Sequence, residues 1–198
     1  KKLFIPRETP TMPSSSPPTS DTTAGSNRSA AEPTVLPTTA PPVLIHPPLL
    51  FVVIIALVGL LEWLMPIAWM TALPRLPLAL VGGLAVIGGL MLGIAAALQM
   101  HRAGTNIPTF QPALGIVTDG VFAHSRNPIY LGLVTAMTGL ALLWPSFWLL
   151  IGTGLTAFIL HHGVIKREEA YLEQYFGAPY AAYCATTRRW YGRVTATG

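Results

Sequence analysis

Long apolar runs separated by short polar knots set the pattern of this chain. Leu49 to Met70, Leu76 to Leu98 and Ile129 to Ile165 are almost wholly apolar, while polar residues gather at 99–127 and 166–193. A helix that crosses a bilayer needs about 17 to 25 apolar residues. The first two runs fit one helix each, expected over 49–70 and 76–98. The third is too long for one helix and is broken by Trp144-Pro145-Ser146. Proline removes a helix hydrogen bond and clashes with the preceding turn, so this run predicts two helices, 128–144 and 146–163, folded as a hairpin. The hairpin brings Arg126-Asn127 and Glu168-Glu169, some forty residues apart in sequence, to one face.

Residues 1 to 46 are a different material. Pro, Ser and Thr crowd this segment and large apolar residues are scarce, so it cannot bury enough surface to offset its ordering entropy and is expected to be disordered. Residues 47–198 are expected to form the single folded domain, with 164–192 as its polar C-terminal segment. Gly177-Ala178-Pro179 divides that segment into short helices by stop and start chemistry. The fold expected is all-α: a polytopic integral membrane protein with about four transmembrane helices and short cytoplasmic C-terminal helices. In the second run, Gly89-x-x-x-Gly93 is a pair of small residues that lets another helix come close. Glu62-Trp63 is read as the far interface of the first span, where tryptophan is favoured and a carboxylate reaches water.

Composition agrees with the pattern. The chain is 52% hydrophobic and 10% charged, with a mean hydropathy of +0.53, whereas soluble domains carry about 25% charged residues. The net charge of +4 forms no basic stripe, which excludes a nucleic-acid binder. The single cysteine, Cys184, excludes an internal disulfide and gives no metal-ligand spacing. His161-His162 offers no metal grip either, because adjacent helical residues point about 100° apart. With four spans, Arg102, Arg126, Lys166, Arg167, Arg188, Arg189, Arg193 and the cations of the tail lie on one side, and Arg75 alone on the other. By the positive-inside rule both termini are then cytoplasmic.

Chemistry concentrates in the knots. Arg126 offers a planar fork for a carboxylate. Asn127-Pro128 reads as N-cap and first helical position, with unpaired N–H groups beyond that suit an anion. Glu168 and Glu169 supply acceptors, and Tyr130, Phe176, Tyr180 and Tyr183 supply aromatic faces for a ring or a cation. His162 and Glu169, seven apart, share a face if the helix runs on unbroken.

Arg126-Asn127-Pro128-x-Tyr130-x-Gly132, then Glu168-Glu169-x-x-Leu172, Phe176-Gly177-x-x-Tyr180-x-x-Tyr183 and Arg188-Arg189-Trp190, together resemble the integral-membrane S-adenosylmethionine methyltransferases. These are the isoprenylcysteine carboxyl methyltransferases and their phospholipid N-methyltransferase relatives. Ala103-Gly104-Thr105-Asn106 and Val117-Thr118-Asp119-Gly120 look like bacterial members. The resemblance covers roughly residues 100 to 192. It departs from the family at Asn127, where many relatives have His, and at Tyr191-Gly192, where relatives often place an apolar residue and proline.

The resemblance implies S-adenosyl-L-methionine as cofactor, a lipophilic or prenylated acceptor reached through membrane lipids, and no metal. It implies a cofactor site drawn from Gly120, Arg126, Asn127, Pro128, Tyr130, Gly132, His162, Glu168, Glu169, Tyr180 and Tyr183, with Arg126 and Glu169 closest to the chemistry. Methyl transfer calls for positioning and desolvation more than acid–base help, and no catalytic triad is visible. Two other readings are an NADPH-dependent sterol-type membrane reductase and a non-enzymatic membrane adaptor. The reductases look similar at the Arg-x-Pro-x-Tyr turn but commonly carry an acid just after the glycine, where Leu133 stands here. Acceptor and oligomeric state are not encoded in any feature of the sequence.

Overall fold

A computed structural model describes residues 4–6, 47–67, 73–107 and 112–194. Its helices are α1 (Pro47–Leu64), α2 (Arg75–Arg102), α3 (Pro128–Leu143), α4 (Phe147–Ile159), α5 (Lys166–Phe176) and α6 (Ala178–Thr186). Two short strands, β1 (Phe4–Pro6) and β2 (Gly115–Val117), pair antiparallel with Ile5 opposite Ile116. Phe4–Pro6, within the segment 1–46 expected to be disordered, pairs with β2. The rest of that segment lies outside the described residues.

The packing order is α2 against α3, α3 against α4, and α4 against α1. Glycine sets the first contact. A Cβ on Gly82 would sit 2.7 Å from the Gly139 carbonyl oxygen, and one on Gly89 would collide with that of Gly132. Two pairs seven residues apart, running in opposite directions, thus bring the α2 and α3 backbones into contact. On α1, Leu50, Ile54 and Val58 form the buried stripe, and a Cβ on Gly152 of α4 would meet Val58 and Ile54. Outward faces stay apolar: Leu84, Ile87, Met91 and Ile94 on α2 are all exposed. An unbroken apolar face of that extent is unusual in a water-soluble monomer and suits lipid.

By length and apolarity, two helices can cross a membrane, Arg75–Arg102 and Phe147–Phe176; Leu49–Leu64 and Pro128–Leu143 are shorter apolar helices. The expected span bounds shift accordingly. The first helix stops at Leu64, and 68–72 lie outside the described residues. The second extends past Leu98 to Arg102. The fourth does not end at residue 163. It runs on through a π-helical turn, Leu160–Ile165, into α5, so the Glu168-Glu169 pair rides on the same rod as the apolar α4.

The hairpin turn falls at Trp144-Pro145. Ser146 caps α4, its Oγ accepting from the Leu149 N–H at 2.9 Å, and donates to the Glu62 carboxylate. Glu62 therefore ties the end of α1 to the start of α4.

A cleft braced by a C-terminal strap

The site is built on three supports. The first is the C-terminal end of α2. Gln99 Nε2 donates to the Asp119 carbonyl at 2.8 Å and to its Oδ1 at 2.7 Å, and Gln99 Oε1 accepts from the Val121 N–H. This fixes a 3-10 turn over Gly120–Ala123. Gly120 has a φ of 55°, and a Cβ there would lie 2.5 Å from Gln99 Oε1, so both conformation and proximity call for glycine. Further back, Thr105 Oγ1 accepts from the Leu114 and Gly115 N–H groups and donates to the Gly115 carbonyl, which holds β2 against the helix.

The second support is the start of α3. Pro128 takes its first helical position, as expected from its fixed φ and missing N–H. Asn127 stands at the N-cap, but its side chain does not cap. Its Nδ2 donates instead to Glu169 Oε1 at 3.3 Å and to the Arg189 carbonyl at 3.2 Å. The first-turn N–H groups of α3 are thus left without a side-chain cap, a condition that favours an anion.

The third support is a strap, residues 187–193, that folds back across the site. Arg126 N–H donates to the Arg188 carbonyl, Arg188 N–H to that of Gly192, and Gly192 N–H to that of His124. Thr187 bridges to Arg193. The strap delivers Arg189, whose Nε and Nη2 lie 2.9 and 2.7 Å from Glu169 Oε2. That bond raises the Arg189 pKa above the ordinary guanidinium value. Arg126 Nη2 approaches the same carboxylate, 3.2 Å from Oε1. Glu169 is accordingly gripped by two guanidiniums and an amide, with its side chain only 12% exposed. Next to it, buried Glu168 accepts from Tyr130 Oη at 2.9 Å.

Between these supports lies a cleft with about 680 Å³ of open space, its mouth included. Of the candidates named from the sequence, Arg126, Asn127, Pro128, Tyr130, Glu168, Glu169, Tyr180 and Tyr183 line it. Met100, Ile116, Val117, Phe122, Ile129 and Leu172 supply apolar lining to the same cleft. Tyr183 Oη donates to the Phe122 carbonyl at 2.7 Å, locking α6 to the 3-10 turn. Burial, more than any charge, pushes the Tyr180 and Tyr183 phenols above their ordinary range. Arg126 Nε is buried and has no partner among the described residues, so a donor remains for an anion in the cleft.

Three expected site residues lie elsewhere. Gly120 packs on Gln99. Gly132 belongs to the α2–α3 seam, where a Cβ would stand 2.8 Å from the Gly93 nitrogen. His162 is exposed, 3.4 Å from Lys166 Nζ. The π turn explains the last: it takes up more residues per turn than an α-helix, so seven-residue spacing no longer keeps His162 on the face of Glu169. His161 comes there instead, touching Arg189 and Trp190. Arg189 and Trp190 were assigned no role from sequence, and of the His161-His162 pair His162 was expected at the site. The only sign of Arg189 was its place in the Arg188-Arg189-Trp190 signature, and nothing local showed that the strap turns back.

A family model described as phospholipid methyltransferase matches residues 78–179. That stretch holds most of α2, the clamped loop, α3, α4, the π turn and α5, and so most of the cleft. No curated protein and no solved structure matches the chain.

Proposed function

The chain belongs to the phospholipid methyltransferase family, membrane-embedded S-adenosylmethionine-dependent methyltransferases, and from that premise we propose that its acceptor is lipophilic, isoprenylcysteine carboxylate-like or phospholipid-like, and reaches the cleft sideways from the bilayer. The family membership displaces the reductase and adaptor readings. The observation that carries the proposal is the mixed lining of one cleft: the charged Arg126, Glu168 and Glu169 share it with apolar residues of α2, β2 and α3.

The residues present fit the cofactor. Arg126, with its unpartnered buried Nε, and the uncapped first turn of α3 are placed for an amino-acid carboxylate. Glu168 and Glu169 are acceptors for an ammonium or a ribose diol. Tyr180 and Tyr183 stay neutral phenols and present aromatic edges and faces. When bound, S-adenosylmethionine supplies an electrophilic methyl group on a sulfonium. The chain contributes orientation and exclusion of water: Glu169 is fixed from three sides, and the Arg189 strap covers it. A carboxylate acceptor needs no base, whereas an ammonium acceptor must first lose its proton.

We further read all four apolar helices as spans, with both termini and the cleft on the cytoplasmic side. Titration of the detergent-solubilised chain with S-adenosylhomocysteine tests the site, with saturable binding expected. No binding at millimolar ligand would sink the proposal. Methyl transfer to a farnesylcysteine analogue or to phosphatidylethanolamine in vesicles then separates the two acceptor classes.

A further inference from the structure

The rod Phe147–Phe176 changes pitch at Leu160–Ile165, and the effect is to present His161 to the strap. Trp190 Nε1 lies 3.2 Å from His161 Nδ1, and the two rings stack with planes 13° apart. Arg189 Nη1 lies 3.4 Å from His161 Nε2, while the other face of the same guanidinium grips Glu169.

An indole N–H only donates, and so does a guanidinium. Both ring nitrogens of His161 therefore face donors, and a neutral imidazole can accept at one of them. An imidazolium can accept at neither. The charges around it are Arg189 on the strap and His162, Lys166 and Glu169 on its own rod, so one carboxylate stands against two fixed cations and a second titratable ring.

From this geometry we infer that His161 is a positioning residue. In its neutral form it anchors Trp190, sets the fork of Arg189 on Glu169, and so holds the charged end of the cleft in shape. Protonation withdraws the acceptor and places a third positive charge beside Arg189 and Lys166. The strap then loosens and cofactor affinity falls. The inference rests on the reading that Arg126 and Glu169 hold the cofactor.

The full chain in nanodiscs should bind S-adenosylhomocysteine several-fold more weakly once pH falls through the His161 titration, which burial and the neighbouring Arg189, His162 and Lys166 set below the usual imidazole value of about 6.5. H161Q keeps an acceptor that takes no proton and should bind with little pH dependence. H161F keeps the ring but has no acceptor, and should bind weakly at every pH. H162Q should keep the wild-type profile. Trp190 fluorescence gives a ligand-free readout: a change near the same pH, absent in H161Q and in W190F. Identical pH profiles for wild type and H161Q, or wild-type affinity in H161F, would overturn the inference. If wild type binds no ligand at any pH, the functional reading alone fails, and the fluorescence titration still decides whether the latch exists.

Discussion

Glu169 accepts from Arg126, Asn127 and Arg189 at once, so its loss leaves two guanidiniums facing each other without a counter-charge. Removing one partner of a buried charged pair costs about 2 to 5 kcal/mol. Glu169→Ala and Arg126→Ala should each weaken S-adenosylhomocysteine binding by that order, measured calorimetrically in detergent. Glu173→Ala, one turn further along α5, should leave it nearly unchanged. Tyr183 offers a check on burial. Its raised pKa means the folded chain holds the phenolic proton more tightly than the unfolded one. The resulting stabilisation is complete below about pH 10 and is lost as pH climbs toward the folded value. Alkaline titration of the tyrosinate band should therefore leave Tyr180 and Tyr183 silent until the protein unfolds. At this scale the sequence was most legible for Arg126, Glu168 and Glu169, since charged residues beside apolar helices stand out. It was silent on Arg189 as their partner, because that pairing depends on the path of the strap.

Among the elements, the α2–α3 seam and the π turn show opposite limits of sequence reading. Gly89-x-x-x-Gly93 pointed correctly to close packing on α2, since both glycines meet Gly132, but it gave no sign of the second contact, Gly82 with Gly139. One helix alone cannot show which of its glycines meets a partner. Gly89→Ala or Gly132→Ala should destabilise the detergent-solubilised chain by about 1 to 3 kcal/mol through overpacking. Gly83→Ala, where a Cβ meets nothing within 4 Å, should be neutral or slightly stabilising in thermal unfolding. The π turn had no visible mark in Leu160–Ile165, and a uniform α-helical period placed His162, not His161, beside Glu169.

At the scale of the whole molecule, the apolar runs located the four helices to within a few residues except at α1 and at α4, where the rod continues to Phe176. The proposed orientation can be read chemically. In a Cys184→Ser background, a membrane-impermeant maleimide should label Arg75→Cys from the outside only, while wild-type Cys184 should label only once the cytoplasmic face is opened. Cys184 labelling from outside would reverse the topology. The sixteen residues of α3 rise about 24 Å, short of a hydrocarbon core of about 30 Å. Were α3 a span, as proposed, it would be short for an average bilayer, and the lipid beside it would thin around the Arg126-Asn127 end. Methyl transfer should then run faster in short-chain than in long-chain phosphatidylcholine nanodiscs.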